Sequence, residues 1–143
     1  MYKKAARVVA VILALSIFFP GSAFAAANTG KASKYIITYD GYCYWANSTT
    51  VQVYFDITAK NYIDQLGATQ IRLYESSDLN SWSLVKTFYY TSYSNMMVYN
   101  DYTMGSHVDY SNAVSGRHYK ATITFIAMNG SDSESRNFYT PYI

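Results

Sequence analysis

The stretch "TVQVYFDIT" (residues 50–58) alternates without a break. Val51, Val53, Phe55 and Ile57 share one side, and Gln52, Tyr54, Asp56 and Thr58 the other. Successive side chains of an extended backbone point to opposite faces, so this pattern predicts a strand with one buried face and one wet face. "HYKATITFIA" (118–127) repeats it, with Tyr119, Ala121, Ile123, Phe125 and Ala127 against Lys120, Thr122, Thr124 and Ile126. Residues 35–40, 69–75, 82–90, 106–110 and 135–140 read as five more strands, which makes seven. The one helix-like piece is "NYIDQLG" (61–67), where Gly67 suits the end of a single helical turn. Seven strands separated by frequent turn signals predict an all-β fold, a single antiparallel β-sandwich. Asn129-Gly130, inside the polar run "NGSDSES", predicts a hairpin between the last two strands.

Ahead of the strands the chain reads as a leader. Lys3, Lys4 and Arg7 precede an apolar run from Val8 to Phe19, then Pro20-Gly21 and Ala23-Phe24-Ala25. The run is shorter than the roughly 20 apolar residues of a membrane-spanning helix, and the small residues supply a signal-peptidase site. The expectation is a signal peptide over 1–25, a flexible stub over 26–34 and one domain over 35–143, secreted, extracellular and with no stable membrane span in the mature chain. Three of the 11 Lys and Arg belong to the leader, so eight of them face nine Asp and Glu afterwards. Those eight are scattered singly, which argues against a nucleic-acid partner. The single cysteine, Cys43, excludes an internal disulfide framework. It is read as a buried thiol, with an intermolecular disulfide the alternative.

The segment "SGRHYKATITFIAMNGSDSES" resembles the end of a fibronectin type III domain, and the sandwich is expected to be immunoglobulin-like or fibronectin type III-like. The resemblance implies that Tyr119, three residues after Gly116, is a structural tyrosine whose hydroxyl bonds back to the chain just before it. A departure is that the first core strand lacks the tryptophan such domains carry. Across most of the mature chain, "LGATQIRLYESSDLNSWSLVKTF", "HYKATITFIA" and "DSESRNFYT" are similar to a group of small, signal-bearing proteins of Gram-positive bacteria classed as a domain of unknown function. That resemblance implies no activity and no functional residue.

Candidate chemistry is sparse. "SSDLNSW" (76–82) resembles the Asp box of propeller proteins, one residue short, and is read as a hairpin clamp made by Asp78, Asn80 and Trp82. His107 and Asp109 share a strand face, but no serine lies in a strained glycine-flanked turn and no basic neighbour activates Cys43. No carboxylate pair, metal-ligand spacing or cofactor motif stands out, so no catalytic residue, metal or cofactor is assigned and the chain is read as a non-enzyme. The positive signal is tyrosine, 17 residues of it. Exposed tyrosine offers rigid amphipathic contact area. "YYTSYSNMMVYNDYTMGS" (89–106) concentrates it, making Tyr89, Tyr90, Tyr93, Met96, Met97, Tyr99 and Tyr102 the candidate contacts for a cell-envelope glycan or a protein partner. The alternatives are a small secreted antagonist or membrane-acting toxin, and last a hydrolase. Oligomeric state is not specified by the sequence.

Overall fold

The computed structural model describes residues 33–143. The expected leader and residues 26–32 of the expected stub lie outside them. Six strands follow one another: β1 (Ile36–Asn47), β2 (Thr50–Ser76), β3 (Ser83–Tyr89), β4 (Met97–Tyr110), β5 (His118–Asn129) and β6 (Asp132–Tyr139), with one 3-10 turn, Ser94–Met96, before β4. Every pairing is antiparallel.

β2 explains the arrangement. The strands expected at 50–58 and 69–75 are two ends of one 27-residue strand. Its first part lies between β1 and β4, with Tyr54 opposite Tyr42 on one side and His107 on the other. Its second part lies between β5 and β3, with Ile71 opposite Ile123 and Phe88. β6 then pairs along β5. The sheet is thus continuous through β2 yet curls into two layers, β1-β2-β4 and β3-β2-β5-β6. Lettered as an immunoglobulin-type sandwich, these are A-B-E and C′-C-F-G, with B and C unbroken. The hairpin at Asn129 forms with Asn129 opposite Asp132 and Gly130 at φ 61°.

Residues 61–67, the helix-like piece, are strand, and this corrects the expectation. Ile63, Gln65, Leu66 and Gly67 pair with β4, and residues 65–67 also pair with β5. A helical turn would strip those ladders of their partners. Gly67 is needed for close approach rather than for ending a helix. A Cβ there would press on the Met96 carbonyl and lie 2.9 Å from both Met97 Cα and Met104 Sδ.

Between the layers, Val51, Val53, Phe55 and Ile57 meet Ile71, Leu73, Ile123 and Phe125, all fully buried. Phe55 and Phe125 pack at 6.4 Å between ring centroids. From β1, Trp45 stands edge-on to Tyr119 at 5.4 Å. Tyr119 is fully buried. Its hydroxyl accepts from the Val114 amide at 2.8 Å and donates to Glu75 Oε2 at 2.6 Å. Burial, then the bond to Glu75, push its pKa up to about 12.

The chain entering β1 is clamped to β6. The buried Glu134 carboxylate accepts from the amides of Tyr35 (2.7 Å) and Ile36 (3.1 Å) and from the Ser33 hydroxyl, and it pairs with Arg136. Lys34 pairs with Asp132. Burial raises the Glu134 carboxyl, but those two amides, the Ser33 hydroxyl and the Arg136 guanidinium outweigh it and hold the group below the ordinary glutamate range.

Two outcomes follow from these contacts. Tyr119→Phe leaves the Val114 amide without its acceptor and Glu75 without its donor, and lowers unfolding free energy by about 1–3 kcal/mol. The readout is a lower urea midpoint at unchanged slope; an unchanged midpoint would show that the hydroxyl does not hold this corner. Glu134 has a depressed folded-state pKa, so its contribution is complete above the unfolded-state value and is lost as pH falls through the folded-state value. Glu134→Gln should therefore flatten the fall in stability below the ordinary glutamate range, and a variant with the wild-type slope would refute the clamp.

Candidate functional site

The hairpin between β2 and β3 is locked by its own side chains. Asp78 Oδ1 accepts from the amides of Asn80 and Ser81, each at 2.9 Å, and from the Ser76 hydroxyl at 3.1 Å. Those amides, Ser81 first, hold the Asp78 carboxyl below the ordinary aspartate range. Ser76 Oγ accepts from the Leu79 amide at 2.9 Å, and Leu79 takes left-handed backbone at φ 63°. Asn80 donates through its side-chain amide to the Asp78 carbonyl, and Trp82 Nε1 donates to the Leu79 carbonyl. Trp82 is half-buried under Lys120, whose Nζ lies 4.0 Å from the ring centroid. With Asp78 Oδ1 and the Asn80 side-chain amide nitrogen bonded within the loop, this hairpin is built for shape.

The tyrosine and methionine segment divides in two. Met96 and Met97 are buried, beside Gly67, and serve the interior. Tyr90 and Tyr93 are half-buried against the core, Tyr93 edge-on to Phe88 at 5.2 Å. Tyr89, Tyr99 and Tyr102 are exposed, so they are the only members of the candidate set free to meet a ligand along their rings. Tyr89 stands apart on β3, opposite Gln70.

Tyr99 and Tyr102 sit where β2 bends. Between Thr58 and Ile63 the β2–β4 ladder loses register, so residues 59–62 bulge against a shorter length of β4. A bulge re-aims side chains that a regular ladder would align. On β4 the matching irregularity is Asn100, in left-handed backbone at φ 52°. Next to it, Asp101 Oδ1 accepts from the amides of Tyr102 (2.7 Å) and Thr103 (3.3 Å). Tyr62, from the bulge, meets Tyr102 edge to face at 5.1 Å. Tyr62, Tyr99 and Tyr102 are 69%, 61% and 44% exposed. The result is a projecting aromatic knuckle on hydrogen-bonded backbone.

Tyr62, one of the tyrosines the sequence places on polar faces or in loops, fell outside the candidate segment because it lay in the piece taken for a helix. Tyr54, read as facing outward, forms a second aromatic row with Tyr42 and Tyr44, which the sequence did not single out, on the outside of β1 and β2. Tyr42 and Tyr54 stack at 4.9 Å, with Tyr44 5.8 Å from Tyr42. Tyr42 and Tyr44 flank the buried Cys43 at i±1, so the signal was present once β1 is extended to Asn47.

No family model matches this sequence, and no curated protein or solved structure matches it. What the site can do must come from its geometry. Among the described residues no group of three or more His, Cys, Asp or Glu side chains gathers as a metal would require. His107 and Asp109 lie 3.8 Å apart on the surface, both about half exposed, where solvent screens their attraction. Among the described residues no helix is long and apolar enough to cross a membrane.

Cys43 is buried, and its sulfur lies 3.5 Å from Thr140 Oγ1. Burial pushes the thiol up to about 11 despite the Thr140 contact. The thiolate is the reactive form, so the folded protein should resist a disulfide-exchange reagent at pH 8 and react with one equivalent after denaturation. Rapid labelling of the native protein would show that Cys43 opens to solvent, and would restore the intermolecular disulfide as a candidate.

Proposed function

We propose that this chain is a secreted, non-catalytic binding module that holds a cell-envelope glycan on its tyrosine knuckle. The carrying observation is that Tyr62, Tyr99 and Tyr102 project from irregular but hydrogen-bonded backbone, at the one place where the β2–β4 ladder is bulged. Three large apolar rings in water cost the folded protein solvation, and nothing in the core gains from them. A rigid platform loses little conformational entropy on binding, which favours affinity from a small contact area. Sugar rings present flat C–H faces between hydroxyls. A tyrosine answers both, with its ring and its hydroxyl. Asn100 and Asp101, between Tyr99 and Tyr102 in the chain, place polar groups next to the rings in sequence.

The test uses the mature chain from residue 26, passed over immobilised peptidoglycan and neutral polysaccharides. Retention is expected on at least one glycan. Tyr62→Ser or Tyr102→Ser should weaken it about tenfold, the effect of losing roughly 1.4 kcal/mol at a contact residue. Tyr139→Ser, an exposed tyrosine on β6, should leave it unchanged. Absence of retention on every glycan, or equal loss from all three substitutions, removes the glycan reading. A protein captured by the knuckle in its place would identify the other class of partner.

A further inference from the structure

Among the described residues the outward faces of the two layers carry opposite net charges. On β1, β2 and β4 the outward positions include Asp40, Asp56 and Asp109, with Lys60 alone at the bulged end of the first part of β2; Asp40 lies directly opposite Asp56, and Asp109 opposite Gln52. On β3, β2, β5 and β6 they include Arg72 and Lys120 and no Asp or Glu; Lys120 lies opposite Tyr74, and Arg72 opposite Thr122. Among the described residues, Asp40, Asp56, Arg72 and Lys120 form no ion pair. Like charges directly opposite on neighbouring strands are destabilising, and burial together with Asp40 raises the Asp56 carboxyl. A cation arriving from outside would remove that repulsion.

Each face also has the surface a partner needs. On the acidic face the Tyr54 hydroxyl lies 2.8 Å from where a Cβ of Gly105 would stand, so the bare glycine lets that ring lie across β4 and keeps the layer low. Tyr42 and Tyr44 continue the row, and tyrosine rings attract guanidinium and ammonium groups. On the basic face Lys120 already lies over Trp82, and Arg72 shares a cross-strand row with Thr122 and the exposed Tyr139.

We propose that the acidic tyrosine face of one copy docks on the basic face of a second copy, with Asp40 and Asp56 meeting Arg72 and Lys120. The two faces are the opposite sides of one sandwich, so the contact is head to tail and each added copy presents a fresh face of either sign. Such a heterologous contact grows an open stack, not a closed dimer. Three strands about 4.8 Å apart and about eight residues long give a footprint of roughly 400 Å². That is about half the usual area per partner in a stable complex, so the stack is weak and sensitive to salt. It uses neither Tyr62 nor Tyr102, and stands or falls independently of glycan binding.

The test pairs two neutralising variants of the mature chain: Asp40→Asn with Asp56→Asn, and Arg72→Gln with Lys120→Gln. In sedimentation velocity at low ionic strength, the mean mass of the wild type should rise with concentration past that of a dimer and fall on adding salt. Each variant alone should stay monomeric. Mixed in equal amounts they should give 1:1 dimers that grow no further, because each keeps the one face the other lacks. A wild type monomeric at every concentration, variants that associate as the wild type does, or a mixture that stays monomeric overturns the proposal; so does a wild type that stops at a dimer. Zero-length carbodiimide cross-linking of the wild type gives a readout independent of how the variants fold. It should join Lys120 of one copy to Asp40 or Asp56 of another, and absence of that link at concentrations where mass rises also overturns it.

Discussion

The passage of one unbroken strand from one layer to the other is the constraint on which this fold depends. β2 is hydrogen-bonded to β1, β3, β4 and β5, so four of the other five strands take their register from it. A sandwich with separate B and C strands can adjust its two sheets independently at the connecting loop. Here the bend must be made inside a ladder, without orphaning backbone groups. The solution is local: a bulge over residues 59–62, a second shift beside Thr69, and the close passage of Gly67 under Met96 and Met97. A side chain at Gly67 would force β4 away and separate the layers at their hinge.

That same bend marks where periodicity stops being readable. The inward side of β2 falls on Val51, Val53, Phe55, Ile57 and Ile63, then on Leu66 and Ala68, then on Ile71 and Leu73. The odd–even phase slips twice. Each regular part was legible as a strand, because alternation survives between slips. Across the slips apolar residues fall at spacings of three, which a sequence reading assigns to a helical turn. β1 ran past its expected end for a related reason: Gly41 and "YCYW" look like punctuation and an aromatic cluster until Tyr42, Cys43 and Tyr44 are seen to alternate out, in, out. The hairpin at Asn129 and the strand through Tyr119 needed no such correction, as their signals are local.

The site was legible in part, by composition more than by pattern. Exposed tyrosine could be anticipated from an excess over what a small core holds, and Tyr99 and Tyr102 fell within the expected segment. Met96 and Met97 are not on the surface: where the 3-10 turn passes into β4 both are buried, with their backbone close against Gly67. Strand parity could not foretell this, since the turn has neither period. Tyr62 joined the site only because the bulge brought it to Tyr102.

Edge protection limits how such a molecule can associate. β6 is an edge strand, and an open edge invites pairing with another chain. Its inward Glu134 is occupied by the amides of Tyr35 and Ile36, so the start of the domain lies over that end of the edge and its charge opposes insertion of another strand. With strand addition blocked there, the exposed faces remain as contact surfaces. A face bearing unpaired charge discriminates by sign where an apolar face would not. A chain whose net charge is small can therefore carry strong local preferences where like charges share a face, as Asp40 and Asp56 do.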